Sequence, residues 1–208
     1  STLNDNPHID QAAYARQLNA ATGSDKALAQ AWIKGDWSVL GGVMFDSFNP
    51  ATHIVRLPSY ASYKMLVGGD WGSAAPATAI LLGRLKADVG HMRFGSIIAL
   101  DEVDTADPTD LSLGNGAPPQ MFAEMIKEMT ARNGCRFPNV VMDDARGLQS
   151  ETVIELFRQS GIAAHKPHKK DRVGQWNLIR QLLANAVTGD GPGLYFAERC
   201  RHLIETLP

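Results

Sequence analysis

Three apolar runs in this sequence end in acids. Leu66-Val67-Gly68-Gly69 reaches Asp70-Trp71-Gly72, Arg93 to Leu100 reaches Asp101-Glu102-Val103-Asp104, and Val140-Val141-Met142 reaches Asp143-Asp144-Ala145-Arg146-Gly147. A buried strand that ends in an ionised aspartate loses several kcal/mol unless a metal, a cation or donated hydrogen bonds meet the charge. Asp70 therefore reads either as a site residue or as the cap of the turn into Trp71-Gly72. Glu102 is a candidate ligand, set against a plain solvated role at a strand exit. Carboxylates brought together from separate strands suit three chemistries. An acid and base pair would serve glycoside hydrolysis, but no aromatic sugar platform lies nearby. An aspartate nucleophile would want an activated substrate and a cation partner. Hard oxygen ligands would hold two Mg2+ or Mn2+ ions, roughly 3.5 to 4 Å apart, across a phosphodiester. Zinc is disfavoured because no paired Cys or His set accompanies them.

A basic run favours the third chemistry. His165-Lys166-Pro167-His168-Lys169-Lys170-Asp171-Arg172 carries four fixed positive charges and two histidines in eight residues. Lys166, Lys169, Lys170 and Arg172 are candidate DNA-phosphate contacts, which give affinity without sequence choice. A solvated helix face is the plainer reading of the same charges.

The 208 residues suffice for one α/β domain with an appendage. A formal net charge of −2 excludes a chain coated in positive potential but leaves room for a local basic patch. Cys135 and Cys200 match no metal spacing and no disulfide framework, which suggests a reducing, intracellular setting. No run approaches the roughly 18 apolar residues of a membrane span, and no signal peptide is visible. Ser1 at the start, and a last segment that stops inside a helical pattern, suggest a piece of a larger protein.

The elements that must position the acids follow from periodicity. Two short helices, one carrying Tyr14 and Leu18 and one running from Ser24 to Gly35, precede any strand, and the alternation of Val43 and Phe45 fits a short strand or a hook onto the following domain. Thr52 to Leu57 reads as an edge strand, with a boundary near Pro58 that divides a helical linker, 1–58, from the main domain, 59–208. Lys64 to Asp70, Ala77 to Leu85 and Arg93 to Leu100 read as an antiparallel meander joined by short turns. Thr105 to Pro119 lacks periodicity and reads as a loop. A helix follows, with Met121, Phe122, Met125, Ile126 and Met129 as its apolar stripe. The strand Phe137 to Met142, the helix Ser150 to Ser160 and the strand Gly161 to His165 read as a crossover to a parallel neighbour, so the sheet should be mixed. The helix Val173 to Val187, the strand Leu194 to Phe196 and a helix from Glu198 complete the chain.

In this order the features resemble the nuclease domain of a tailed-phage terminase large subunit. Asn4-Asp5-Asn6-Pro7, Gly35-Asp36-Trp37 and Gly42-Val43-Met44-Phe45 resemble the segment that joins that family's ATPase and nuclease halves. Gly69-Asp70-Trp71-Gly72 resembles its first catalytic strand. Met142-Asp143-Asp144-Ala145-Arg146 resembles its later aspartate motif, and aligns Asp143 rather than Asp144 with the catalytic residue. Lys169 to Arg172 and Arg199 to Glu205 resemble the stretch toward the domain's end.

The resemblance implies an α/β, RNase H-like mixed sheet flanked by helices, and a metal-dependent endonuclease that cuts concatemeric double-stranded viral DNA during packaging. Asp70 and Asp143 would be catalytic residues and ligands of two Mg2+ or Mn2+ ions, with Asp144 or Glu102 as further candidates. The family's third ligand sits in a late helix, and is expected beyond Pro208. Implied partners are double-stranded DNA, an ATPase domain of the same polypeptide, the portal and the small terminase subunit, in the host bacterial cytoplasm and without a membrane. No Gly-x-x-x-x-Gly-Lys-Ser/Thr phosphate loop occurs, so the motor's ATPase is not in this sequence. The rival readings are a transposase or Holliday-junction resolvase of the same fold, a DNA- or portal-docking module without catalysis, and an actin-like ATPase, for which the chain is too short.

Overall fold

The computed structural model describes residues 45–59, 61–72, 74–143, 151–168 and 171–207. Both helices expected before Gly35, and Val43 of the expected short strand, lie outside them. In chain order the elements are α1 (Pro50–His53), β1 (Ile54–Val55), β2 (Tyr63–Asp70), β3 (Thr78–Leu85), β4 (Ile97–Asp104), β5 (Ala106–Asp107), β6 (Asp110–Gly114) and α2 (Pro119–Arg132). Then come β7 (Asn139–Met142), α3 (Val153–Gln159), β8 (Ala163–His165), α4 (Arg172–Thr188), β9 (Leu194–Ala197) and α5 (Arg201–Thr206).

Seven of the described strands form one sheet in the order β1-β9-β4-β3-β2-β7-β8. The sheet is mixed, as expected. β2, β3 and β4 make the antiparallel meander, whereas β7 lies parallel to β2, β8 parallel to β7, and β9 parallel to both β4 and β1. Only β3 runs against the others, so the carboxyl ends of β2, β4, β7, β8 and β9 share one edge. α3 makes the crossover from β7 to β8, and its start carries a reciprocal cap: Glu155 N–H donates to Thr152 Oγ1, and Thr152 N–H to the Glu155 carboxylate.

A core lies on each face of the sheet. Val67, Leu81, Val140 and Met142 bury against Phe122, Ile126 and Met129 of α2 and Phe157 of α3. On the other face Ala99, Phe196 and Ala197 bury with Leu183 of α4 and Cys200, and Ile80, Leu82 and Ile179 pack against them. Met121, expected in the stripe of α2, is instead exposed. His53 is fully buried and joins α1 to α4. One neutral tautomer satisfies it: Nε2–H donates to the Leu183 carbonyl at 3.0 Å, while Asn49 N–H donates to Nδ1 at 3.0 Å.

Several boundaries differ from expectation, each for a local reason. Pro50 opens a helical turn whose Ala51 N–H donates to Asn49 Oδ1, so the edge strand shrinks to Ile54–Val55. This strand precedes Pro58 yet belongs to the sheet. The third meander strand starts at Ile97 rather than Arg93, because Phe94 N–H donates to Asp88 Oδ1 and Val89 and Met92 exchange backbone hydrogen bonds. It then continues through the acids to Asp104. Thr105 to Pro119, expected as a loop, contains the two-stranded ribbon β5–β6. Asp107 Oδ1 accepts from Thr109, and Asp110 Oδ1 from Ser112, in each case from both backbone N–H and hydroxyl. These short polar side chains satisfy the turn locally, without any apolar periodicity.

β4 contains a bulge opposite Leu81 and Leu82, which pair with Asp101 and Ala99 respectively and skip Leu100. Leu100 and Asp101 therefore face the same way, toward α2. Asp101 is almost fully buried there, and accepts from Arg132 Nε at 2.7 Å, Arg132 Nη2 at 2.9 Å and Asn133 Nδ2 at 2.6 Å. Burial alone would raise its carboxyl pKa. The hydrogen bonds from Arg132 and Asn133, the Arg132 charge and Glu102 N–H outweigh burial and hold it below the usual carboxylate range. A depressed folded-state value contributes stability above the unfolded value near about 4, lost as pH falls through the folded value. Asp101→Asn should thus cost about 1–2 kcal/mol at neutral pH, the lower part of the range for charged hydrogen bonds because Arg132 is half exposed. Urea unfolding should show this gap to the parent closing below about pH 4.

Candidate active site

Asp70 ends β2 at the shared carboxyl edge. The strand expected to be buried is covered on one face only. Val67 is buried, but Lys64, Leu66 and Asp70 are exposed, and a Cβ on Gly68 would meet nothing within 4 Å. The desolvation cost expected for Asp70 therefore does not arise. No hydrogen bond or ion pair engages its carboxylate among the described residues, which leaves the turn-cap reading without a bond to rest on. A Cβ on Gly72 would run into the Ala75 carbonyl oxygen, so only glycine fits there. Trp71 folds back onto Phe122, with ring centroids 6.0 Å apart.

Asp143 directly follows β7 and is exposed. Val67, Gly68 and Gly69 pair with Val140, Val141 and Met142. The next residues, Asp70 and Asp143, thus each follow the last paired position of adjacent parallel strands. Asp144 lies outside the described residues.

Glu102 stands two strands from β2: Gly68 pairs with Ile80, and Ile80 with Glu102. Its carboxylate accepts from His202 N at 2.8 Å and Leu203 N at 3.0 Å. It therefore caps α5, which has no capping side chain of its own. The expectation of acids at the exit of the third strand changes accordingly, since all of them lie within β4. The bulge sends Asp101 to the α2 face, and Glu102 and Asp104 to the face that carries Asp70.

Asp104 completes a row that sequence reasoning did not single out. Asp70 pairs with Thr78 and Thr78 with Asp104, whose Oδ2 lies 2.7 Å from His202 Nδ1. Thr78, Ile80, Glu102, Asp104, His202 and Leu203 line a cleft of about 160 Å3. The signal for this row is the bulge, which alternation of residue types does not reveal.

Of the basic run, Lys166 follows β8 at the same edge and is exposed. Lys169, Lys170 and the Arg172 side chain lie outside the described residues. Asp171 caps α4 by accepting from Gly174 N–H at 2.8 Å. Burial, followed by the nearby Glu102 and Asp101, pushes the Cys200 thiol up to about 12, which leaves it inert as a nucleophile near neutral pH. Among the described residues no three His, Cys, Asp or Glu side chains converge as a metal-binding group. No described helix is long and apolar enough to cross a membrane.

No protein-family model matches the sequence, and no curated protein matches it. Solved structures do match the fold. The large terminase of a thermophilic bacteriophage superposes with a TM-score of 0.57 at 20% identity, over 98% of this chain and 44% of that one. The same terminase in complex with ADP gives 0.58 at 19% identity, over 98% and 45%. The P22 large terminase nuclease domain gives 0.52 at 11% identity, over 79% of this chain and 76% of that domain. This chain thus spans less than half of the thermophilic-phage terminase. At these identities the shared property is the fold: a mixed sheet flanked by helices, the RNase H-like arrangement of a phage large-terminase nuclease domain.

Proposed function

We propose that the chain is the nuclease part of a phage large terminase, a divalent-metal-dependent endonuclease that cuts concatemeric double-stranded DNA during packaging. The observation that carries this reading is the parallel register of β2 and β7, which sets Asp70 beside Asp143 at the edge where open α/β sheets gather their sites. Likeness in fold to the P22 nuclease domain supports the same assignment.

The donor set fits a hard divalent ion. Both groups are carboxylates, both are exposed, and the Asp70 carboxylate is engaged by nothing among the described residues. In this reading Asp70 and Asp143 hold Mg2+ or Mn2+, which when bound stabilises charge on phosphate oxygens and lowers the pKa of water. The exposed sheet face beside Asp70 admits the DNA strand, and Lys166, at the same edge, draws phosphates to it. The ATPase part of the same polypeptide, the small terminase subunit and the portal are the proposed partners, in the host cytoplasm.

With Mn2+ and supercoiled plasmid, Asp70→Asn and Asp143→Asn should each reduce cleavage by about two orders of magnitude or more. Unchanged rates in variants that melt like the parent would remove these residues from the site. Two carboxylates make a sparse ligand set, so calorimetry should find Mn2+ bound only in about the millimolar range. Two tight sites would contradict that expectation. Binding of duplex DNA should weaken steeply with salt, and Lys166→Ala should lower the slope of log K against log salt by about 1.

A further inference from the structure

The face of β2 that carries Asp70 holds fixed positive charge at its other end. The register of β2 and β3 is regular, so Lys64 pairs directly with Arg84 on the face where Asp70 pairs with Thr78. Both are exposed, and among the described residues neither makes an ion pair or a side-chain hydrogen bond. Like charges directly opposite each other in an antiparallel pair repel. Lys86, just past β3, adds a third exposed cation at the same end, where its N–H donates to the Ser62 carbonyl. The next acid along the chain, Asp88, is already engaged: it accepts from Phe94 N–H and lies 3.6 Å from Arg93. The Arg84 guanidinium rests beside Gly95, where a Cβ would meet it at 3.6 Å, so the cations form a strip across β2 and β3 rather than a point.

Between the two ends the face is open. Leu66 is 37% exposed, and a Cβ on Gly68 would meet nothing within 4 Å. β7 extends the same surface with Asn139, which pairs with Ala163 of β8, and both are exposed. Lys64 precedes Asp70 by six residues, about 20 Å of strand, which equals about six base pairs of duplex rise. The carboxyl edge itself repels phosphate, because Asp70, Glu102, Asp104 and Asp143 stand along it. A polyanion that reaches this edge needs cations beyond Lys166, and the amino end of the same face supplies them without any change of protonation.

We propose that the open face of β2 is a track for duplex DNA, and that Lys64 and Arg84 hold its phosphates about 20 Å from the cut. This rests on the nuclease reading above and adds to it a binding contact remote from the carboxylates. The test measures binding of a labelled duplex of about 30 base pairs by the 208-residue chain in EDTA, where no cleavage intervenes. Lys64→Gln with Arg84→Gln should weaken binding at least about tenfold at about 0.1 M salt, and lower the slope of log K against log salt by about 2. The same double variant should melt no lower than the parent, since a like-charge pair has been removed. With Mn2+ and plasmid it should raise KM and leave kcat within about twofold, the mark of a uniform binding contact. Lys64→Arg and Arg84→Lys keep the charge and should bind within about twofold of the parent. A control variant, Arg56→Gln with Lys127→Gln, removes two cations that lie beside Glu198 and Glu124 instead, and should also bind within about twofold of the parent. Two results overturn the proposal: a Lys64→Gln, Arg84→Gln variant that binds as tightly as the parent with the same salt slope, or an equal loss in the control, which would reduce the effect to net charge. Either leaves the metal pair and the nuclease reading standing. If the parent itself neither binds nor cuts duplex DNA, the nuclease reading falls as well, so the two failures are distinguishable.

Discussion

Parallel pairing between β2 and β7 is the constraint on which the site depends. A parallel pair cannot be closed by a hairpin and needs a long connection, and here the chain makes β3, β4, the β5–β6 ribbon and α2 before it returns. The pairing leaves both strands with their carboxyl ends at one edge, and its register decides which residues meet there. Gly69 opposite Met142 makes Asp70 and Asp143 neighbours. A slip of one residue would turn Met142 out of the core and Asp143 toward α2 and α3.

The second constraint is the bulge in β4. Strict alternation from Ile98, which faces α2, would send Leu100, Glu102 and Asp104 to the same side. Two carboxylates would then compete with Phe122 and Ile126 for a dry core. The extra residue turns Glu102 and Asp104 to the opposite face, where they engage α5, and leaves only Asp101 on the α2 side. Asp101 is tolerated there because Arg132 and Asn133, at the end of α2, supply three hydrogen bonds. One irregularity thus fixes the seat of α2, through Asp101, and that of α5, through Glu102.

Much of this was legible in the sequence, and the failures share a physical pattern. Apolar alternation located β2 and β3, and the strand, helix, strand order around α3 announced the mixed sheet, because periodic burial leaves its mark on residue type. The same periodicity placed Asp70 and Asp143 at strand ends. Three features were not. The ribbon β5–β6 is held by Asp107 and Asp110 bonding to their own turns, which leaves no apolar period. The bulge is a backbone event at an ordinary leucine. The exposure of Asp70 depends on which half of the sheet α4 and α5 cover, a matter of tertiary packing that Leu66 and Val67 cannot report. Glu102 therefore read as a free strand-exit acid, although it caps a helix about 100 residues away in the chain.

The exposure that the sequence did not announce is also what makes a two-carboxylate site tenable. Two negative charges about 5 Å apart repel by about 1 kcal/mol in water, and by about 3 kcal/mol at the effective dielectric constant of a protein surface. In a sealed strand end the repulsion would add to the desolvation of both groups, and one would be held neutral by a proton. At an edge left open by the bare face of β2, solvent bears most of that cost. The open face and the proposed acidic pair thus belong together, because the open face spares the pair the cost of burial.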